Sequence, residues 1–346
     1  MPRRIAPAVA LFFLSPFVAE FLLGDFTLTV LPMLLVLAPL YGGGALLIRE
    51  VARRTGRGWP AMALLALAYG VLEEGFVTQS LFNPDYAHAH LLDRGFVPAL
   101  GIAVPWTLYV LALHTVWSIS VPIALVESGT RRRVTPWLRT PGMIVTTVLF
   151  VLGFAAVTFF SWAAGGFWAP WPRLVAVLVV AAVLVVAAFL VPPVRPARRP
   201  APGPWAVLLV TLGAGALFQA GMRLSPLPGV AAMLAAFAAV LWTLYAWART
   251  PVHVLAAAAG GVLTYAWHSF LLQPLQGAGP VVTPVSHVVF ALAAVCLLAV
   301  LWRRRAWSDE GHGGRSSGGA AGGSGGGRGG DAMVRGSGAA APGAQG

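Results

Sequence analysis

The chain has 346 residues, a mean hydropathy of +0.79 and only 10% charged residues. Soluble domains carry about 25% charged residues, so this chain has too little polar surface to stay folded and dispersed in water. The formal net charge is +12 and all 23 basic residues are arginine, but they fall in short clusters between apolar runs. That spacing follows membrane topology, so the charge is no sign of a nucleic-acid partner. The single cysteine, Cys296, lies in the last apolar run, which excludes an internal disulfide and a thiolate zinc site. Arginine in place of every lysine fits a GC-rich genome, and the expected location is the plasma membrane of a high-GC bacterium.

Apolar segments follow one another at roughly 5–23, 27–48, 60–82, 98–126, 141–163, 173–193, 205–222, 229–248, 252–273 and 283–302. At about 1.5 Å per residue most are long enough to cross a ~30 Å hydrocarbon core. The first resembles a signal peptide, but Glu20 and Phe21 stand where a small-residue cleavage site would be, so it is read as a retained helix. Basic clusters precede segment one (Arg3, Arg4) and fill every second loop, with Arg49 to Arg57, Arg131 to Arg139, Arg195 to Arg199, Arg249, and Arg303 to Arg305. The alternate loops hold only Arg94, Arg173 and Arg223. Positive residues stay cytoplasmic, so the expectation is an all-α polytopic bundle of about ten spans with both termini inside. Residues 1–305 form the membrane domain, and 306–346, rich in Gly, Ser and Ala, read as a disordered cytoplasmic tail. No internal repeat is evident, which disfavours an inverted-repeat transporter.

Ionisable residues inside the spans mark candidate function, because a charge at mid-bilayer is expensive without a partner or a cavity. They concentrate in helices one to four and nine. Glu20 lies near the outer end of the first span and reads as interfacial. The third span carries Glu73 and Glu74, about 20 Å along the axis from Pro60. Adjacent helical residues point about 100° apart, so the two carboxylates serve different roles: a general base or metal ligand, or a helix-to-helix bond. The fourth span aligns Thr107, His114 and Ser118 on one stripe, with Pro122 expected to kink the helix near its cytoplasmic end. His114 stands at the depth of Glu73 on the next, antiparallel helix. The ninth span shows Gly260, Gly261, Thr264, Tyr265 and His268 on one face, the glycines allowing close backbone approach. His253 and His287 read as a solvated and an interfacial residue. The outer loop after span three holds His88 and His90 between Asp85 and Asp93, weak candidates for a divalent metal such as zinc.

The Glu73-Glu74 pair in a membrane helix, followed by His114 and His268, resembles the CPBP family of CAAX-processing and bacteriocin-processing intramembrane endopeptidases. Thr78, Val110 and Leu272 stand where that family's motifs carry Arg, Phe, and Asn or Asp. The resemblance implies a helical bundle that cleaves a membrane-embedded peptide, with Glu73 or Glu74 as base on a water held by His114 and His268. Two other readings compete with it. One is a transporter or permease with Glu73, Glu74 and His114 as a proton relay; the other is a non-catalytic scaffold whose polar groups bond helices together.

Overall fold

The computed structural model describes residues 2–131, 133–192, 200–248, 250–275 and 277–313, and the side chains of 5–304 among them. Ten helices in the described residues are long and apolar enough to cross a membrane. They are α1 (Ile5–Leu22), α2 (Met33–Arg54), α3 (Trp59–Val77), α4 (Val104–Gly129), α5 (Thr140–Gly165), α6 (Trp171–Leu190), α7 (Pro204–Gly221), α8 (Pro226–Trp247), α9 (Pro251–Leu271) and α10 (Val282–Arg304). The protein is an all-helical, multi-pass membrane bundle. Its one sheet among the described residues is a hairpin of β1 (Phe96–Val97) and β2 (Ile102–Ala103) before α4. Several of these helices begin with Pro in the first turn, where a missing N–H costs nothing.

Polarity of the sequence decides position in the bundle. α2, α3, α4 and α9, which carry most of the ionisable groups, are mostly buried, whereas α5, α6, α8 and α10, almost purely apolar, turn most of their surface outward. Close packing joins α1 to α2, α2 to α5, α3 to α6, α3 to α4, and α7 to both α8 and α9. Small residues permit this. A Cβ at Gly42 would collide with the backbone of Phe12 on α1, and one at Gly260 would strike the side chain of Thr211 on α7. The close approach expected at Gly260 is therefore present, with α7 as the partner.

Span boundaries differ from the hydropathy reading for local reasons. Residues 28–30 form a 3₁₀ turn, so α2 starts at Met33 and continues to Arg54. Residues 98–103 are taken up by the hairpin, whose turn places Gly101 at φ +69°. α3 ends at Val77, and Gln79, in the left-handed region, turns the chain so that its side chain accepts a hydrogen bond from Ala169 N at 2.7 Å. The helix that carries the tenth span continues to Gly313, because no breaker stands before Gly311. The tail expected from 306 is thus helical as far as Gly313, and 314–346 lie outside the described residues.

Where α2 meets the 130–139 loop, the arginines read as loop markers enter the protein. Arg49 is fully buried. It binds Glu50 Oε1 at 2.5 Å, Glu127 Oε1 at 3.0 Å and the carbonyls of Arg133 and Thr135 at 2.8 Å each. Its guanidinium lies 3.4 Å from the centre of the Trp137 ring. Glu50 in turn accepts from the backbone N–H groups of Trp137 and Leu138, at 2.8 and 3.1 Å.

Candidate functional site

Three of the membrane helices contain a π-helical stretch: Phe17–Leu22 in α1, Glu73–Val77 in α3 and Leu113–Ser120 in α4. A π turn widens the helix and loosens its i→i−4 ladder, and such turns occur frequently at functional positions. Hydroxyl side chains satisfy the loosened carbonyls here. Thr78 Oγ1 donates to Glu73 O at 3.2 Å, Ser118 Oγ to Leu113 O at 3.4 Å, and Ser120 Oγ to Thr115 O at 2.7 Å, each five residues back. The expected disturbance at Pro122 takes this form: the π turn ends at Ser120, and the α-helical stretch that follows has Pro122 in its first turn.

The three π turns carry Glu20, the Glu73–Glu74 pair and His114. His114 Nε2 lies 2.6 Å from Glu74 Oε1 and 2.8 Å from Glu73 Oε2. All three residues are buried, with exposures of 5%, 6% and 2% for His114, Glu74 and Glu73. Glu74 is held on its other oxygen as well, where Oε2 accepts from Ser80 Oγ and, at 3.2 Å, from Thr78 Oγ1. Trp106 Nε1 donates to Ser80 Oγ at 3.2 Å, extending the network outward. Glu73 differs. Its Oε1 receives only the Tyr41 hydroxyl at 3.4 Å, and Oε2, although close to His114, has no aligned hydrogen bond. An Nε2–H points in one direction and serves Glu74, which leaves Glu73 Oε2 open.

Two tyrosines enclose the cluster. Tyr41 stacks near the His114 ring at 5.8 Å, and half-buried Glu20 lies within electrostatic reach of both Tyr41 and His114. Tyr69, with its ring centre 5.9 Å from that of His114, has a buried hydroxyl with no partner. Neither tyrosine is conspicuous in sequence, since Tyr within an apolar run reads as packing. The same is true of Ser80. A hydroxyl six residues past Glu74 is off the helix face and reaches the carboxylate only because the helix has already ended.

His268 is not part of the cluster. It is buried at the end of α9 against Trp267, with Nδ1 unpartnered. α4 and α9 meet instead through Trp117, which stacks on Tyr265 at 4.8 Å and donates from Nε1 to Gly261 O at 2.9 Å. Thr107 Oγ1 is buried without a partner, and Ser118 Oγ lies 3.4 Å from His114 Nδ1, so the polar stripe of α4 contributes one neighbour to the site. His253, expected to be solvated, is buried and ties Thr250 to Pro202 O, with contacts of 2.7 and 3.0 Å. His287 is buried beside Gly24. In the loop after α3, His88 and His90 are exposed and each faces its own carboxylate, Asp85 at 3.1 Å and Asp93 at 4.0 Å. Among the described residues, the group of His, Cys, Asp or Glu side chains that could jointly hold a metal is Glu73, Glu74 and His114.

No curated protein and no solved structure matches the chain. The likeness to the CPBP endopeptidases does not hold, because the family model that matches the chain describes a different family. Position 78, where their motif has Arg, is a Thr whose hydroxyl is bonded to Glu73 O and Glu74, and the second histidine stands apart from the Glu pair. A family model does match residues 9–310, and the chain belongs to the family it describes, an uncharacterized membrane protein family.

Proposed function

We propose that the protein is a membrane-embedded hydrolase that activates a water at the Glu73–Glu74–His114 cluster. The observation that carries this reading is the convergence of two carboxylates on one imidazole nitrogen, at 2.6 and 2.8 Å, inside the bilayer. Glu74, with both oxygens bonded, orients His114. Glu73 Oε2 is the open acceptor, placed to receive a proton as water adds to a carbonyl carbon. The proton then passes to the leaving group as the bond breaks. The unpartnered hydroxyl of Tyr69 is the nearby donor for the developing oxyanion. Exclusion of bulk water strengthens each of these contacts.

Substrate would arrive within the membrane. A shallow, open apolar groove of about 410 Å³, lined by Phe76, Phe154, Thr158, Phe159, Trp162 and Trp168, touches the π turn that carries the glutamates through Phe76, and the glutamates themselves do not line it. It opens beside the exposed faces of Phe159 and Trp162, which are lipid-facing in a spanning helix. This supports a membrane-embedded substrate with an amide or ester bond, a peptide being the foremost class. A proton-relay reading draws on a specific feature too, the bond from the Tyr41 hydroxyl to Glu73 with Glu20 in electrostatic reach of the same hydroxyl.

The test compares cells producing the native protein with cells producing Glu73→Gln. Peptides and lipids of the membrane fraction are profiled by mass spectrometry. A species that accumulates with Glu73→Gln and is cut by the purified native protein is expected. Identical profiles would overturn the hydrolase. Proton flux into proteoliposomes, lost in Glu20→Gln, would establish the relay in its place. Identical profiles without flux would leave the cluster as interhelical glue.

A further inference from the structure

We infer that Glu73, Glu74 and His114 form a binding site for one divalent transition-metal ion of the zinc class. The inference rests on the hydrolase reading for what the ion would do, which is to activate the water in place of a free Glu73 Oε2, with His114 Nε2 then a ligand and no longer a donor to Glu74, and on geometry alone for its binding. The near atoms of the three side chains, Glu73 Oε2, Glu74 Oε1 and His114 Nε2, point at one another, while each far atom has a support of its own. Glu73 Oε1 faces Tyr41, Glu74 Oε2 faces Ser80 and Thr78, and His114 Nδ1 faces Ser118. Ligands held from behind by outer hydrogen bonds are the usual build of a metal centre. The second observation is Glu73 Oε2 itself, an oxygen on a residue 2% exposed that receives no hydrogen bond.

Charge makes the same demand. Two carboxylates side by side in a low-dielectric interior carry two negative charges, and an imidazolium removes only one of them. A divalent ion with neutral His114 brings the sum to zero; so would two protons, and the experiment must separate these. The contacts of 2.6 and 2.8 Å are hydrogen-bond lengths. Tetrahedral zinc with bonds of about 2.0 Å spaces its ligand atoms roughly 3.3 Å apart, so loading requires these contacts to open by about half an ångström. The imidazole nitrogen selects zinc and similar transition-metal ions over magnesium and calcium, which prefer all-oxygen sites. With three protein ligands the fourth position is left for water, the composition of a hydrolytic rather than a structural site.

The full chain, on a Cys296→Ser background and purified through a tag without histidine, is incubated with zinc, desalted and assayed for metal by mass spectrometry. About one equivalent per chain is expected, falling at least tenfold in Glu73→Gln and His114→Ala but unchanged in the double variant His88→Ala, His90→Ala. Ser80→Ala, which keeps all three ligands, should weaken zinc binding about 10–100-fold. Cobalt loading of the native chain gives a second readout that needs no variant to fold, an intense visible band from four-coordinate Co(II). Absence of stoichiometric zinc together with absence of that band overturns the site, and leaves two protons as the neutralising charge. Metal that survives in Glu73→Gln and His114→Ala overturns it too. A metal-free protein that still hydrolyses its substrate refutes the ion alone, whereas a zinc-loaded protein without hydrolysis refutes the function alone.

Discussion

At Glu74 both carboxylate oxygens receive hydrogen bonds, from His114 on one side and from Ser80 and Thr78 on the other. At Glu73 one oxygen, 2.8 Å from His114 Nε2, receives no aligned hydrogen bond. The amide of glutamine therefore acts differently at the two positions. In Glu74→Gln an NH₂ group replaces an acceptor and faces donors, which should cost about 1–3 kcal/mol for the groups left unsatisfied. Glu73→Gln should cost clearly less. Thermal unfolding of the two detergent-solubilised variants checks this, and an equal loss in both would show that their environments are not distinct. The glutamates and His114 were legible in the sequence because an ionisable group in an apolar run stands out against its surroundings. Tyr41, Tyr69 and Ser80 were not, since their side chains are common in spans and gain meaning only from what they face. His268 illustrates the converse: its polarity matched the pattern, but depth along a helix does not fix the direction in which a side chain points.

The ten spans were legible from hydropathy because each is a long apolar run, and the structure keeps all ten. The π turns were not, since one extra residue in a turn leaves an apolar run apolar. Hydropathy also hid the junction of α2, α4 and the 130–139 loop. Arg49 counts as a loop residue by charge, yet its ion pairs with Glu50 and Glu127 let the helix bury it. Arg53 also binds Glu127, at 2.6 Å, so each acid keeps a second donor when Arg49 is removed. Arg49→Met should for that reason cost about 3 kcal/mol, the lower end of the range for breaking a buried pair. A lowered thermal midpoint, with faster proteolysis within 130–139, is the expected result. An unaltered midpoint would mean that the junction contributes nothing net.

For the whole molecule, alternation of arginine clusters predicts an orientation with 84–95 outside and 131–139 inside. On a Cys296→Ser background, a cysteine at Asp93 should react with an impermeant maleimide in intact cells, and one at Val134 only after permeabilisation. Both side chains are exposed, so access is limited by the membrane and not by packing. Reaction at 134 in intact cells would invert the orientation. The three wide turns have one more consequence. In α1 and α3 the wide turn ends the helix, whereas in α4 it lies between two α-helical stretches and amounts to an inserted residue that offsets them in phase by about 100°. Deleting one residue from the turn in α4 would restore a continuous α-helix that still crosses the bilayer, but would swing His114 away from the glutamates. Membrane insertion and the chemistry of the centre are thus encoded separately, and a lineage could lose the second by a one-codon deletion while keeping the first.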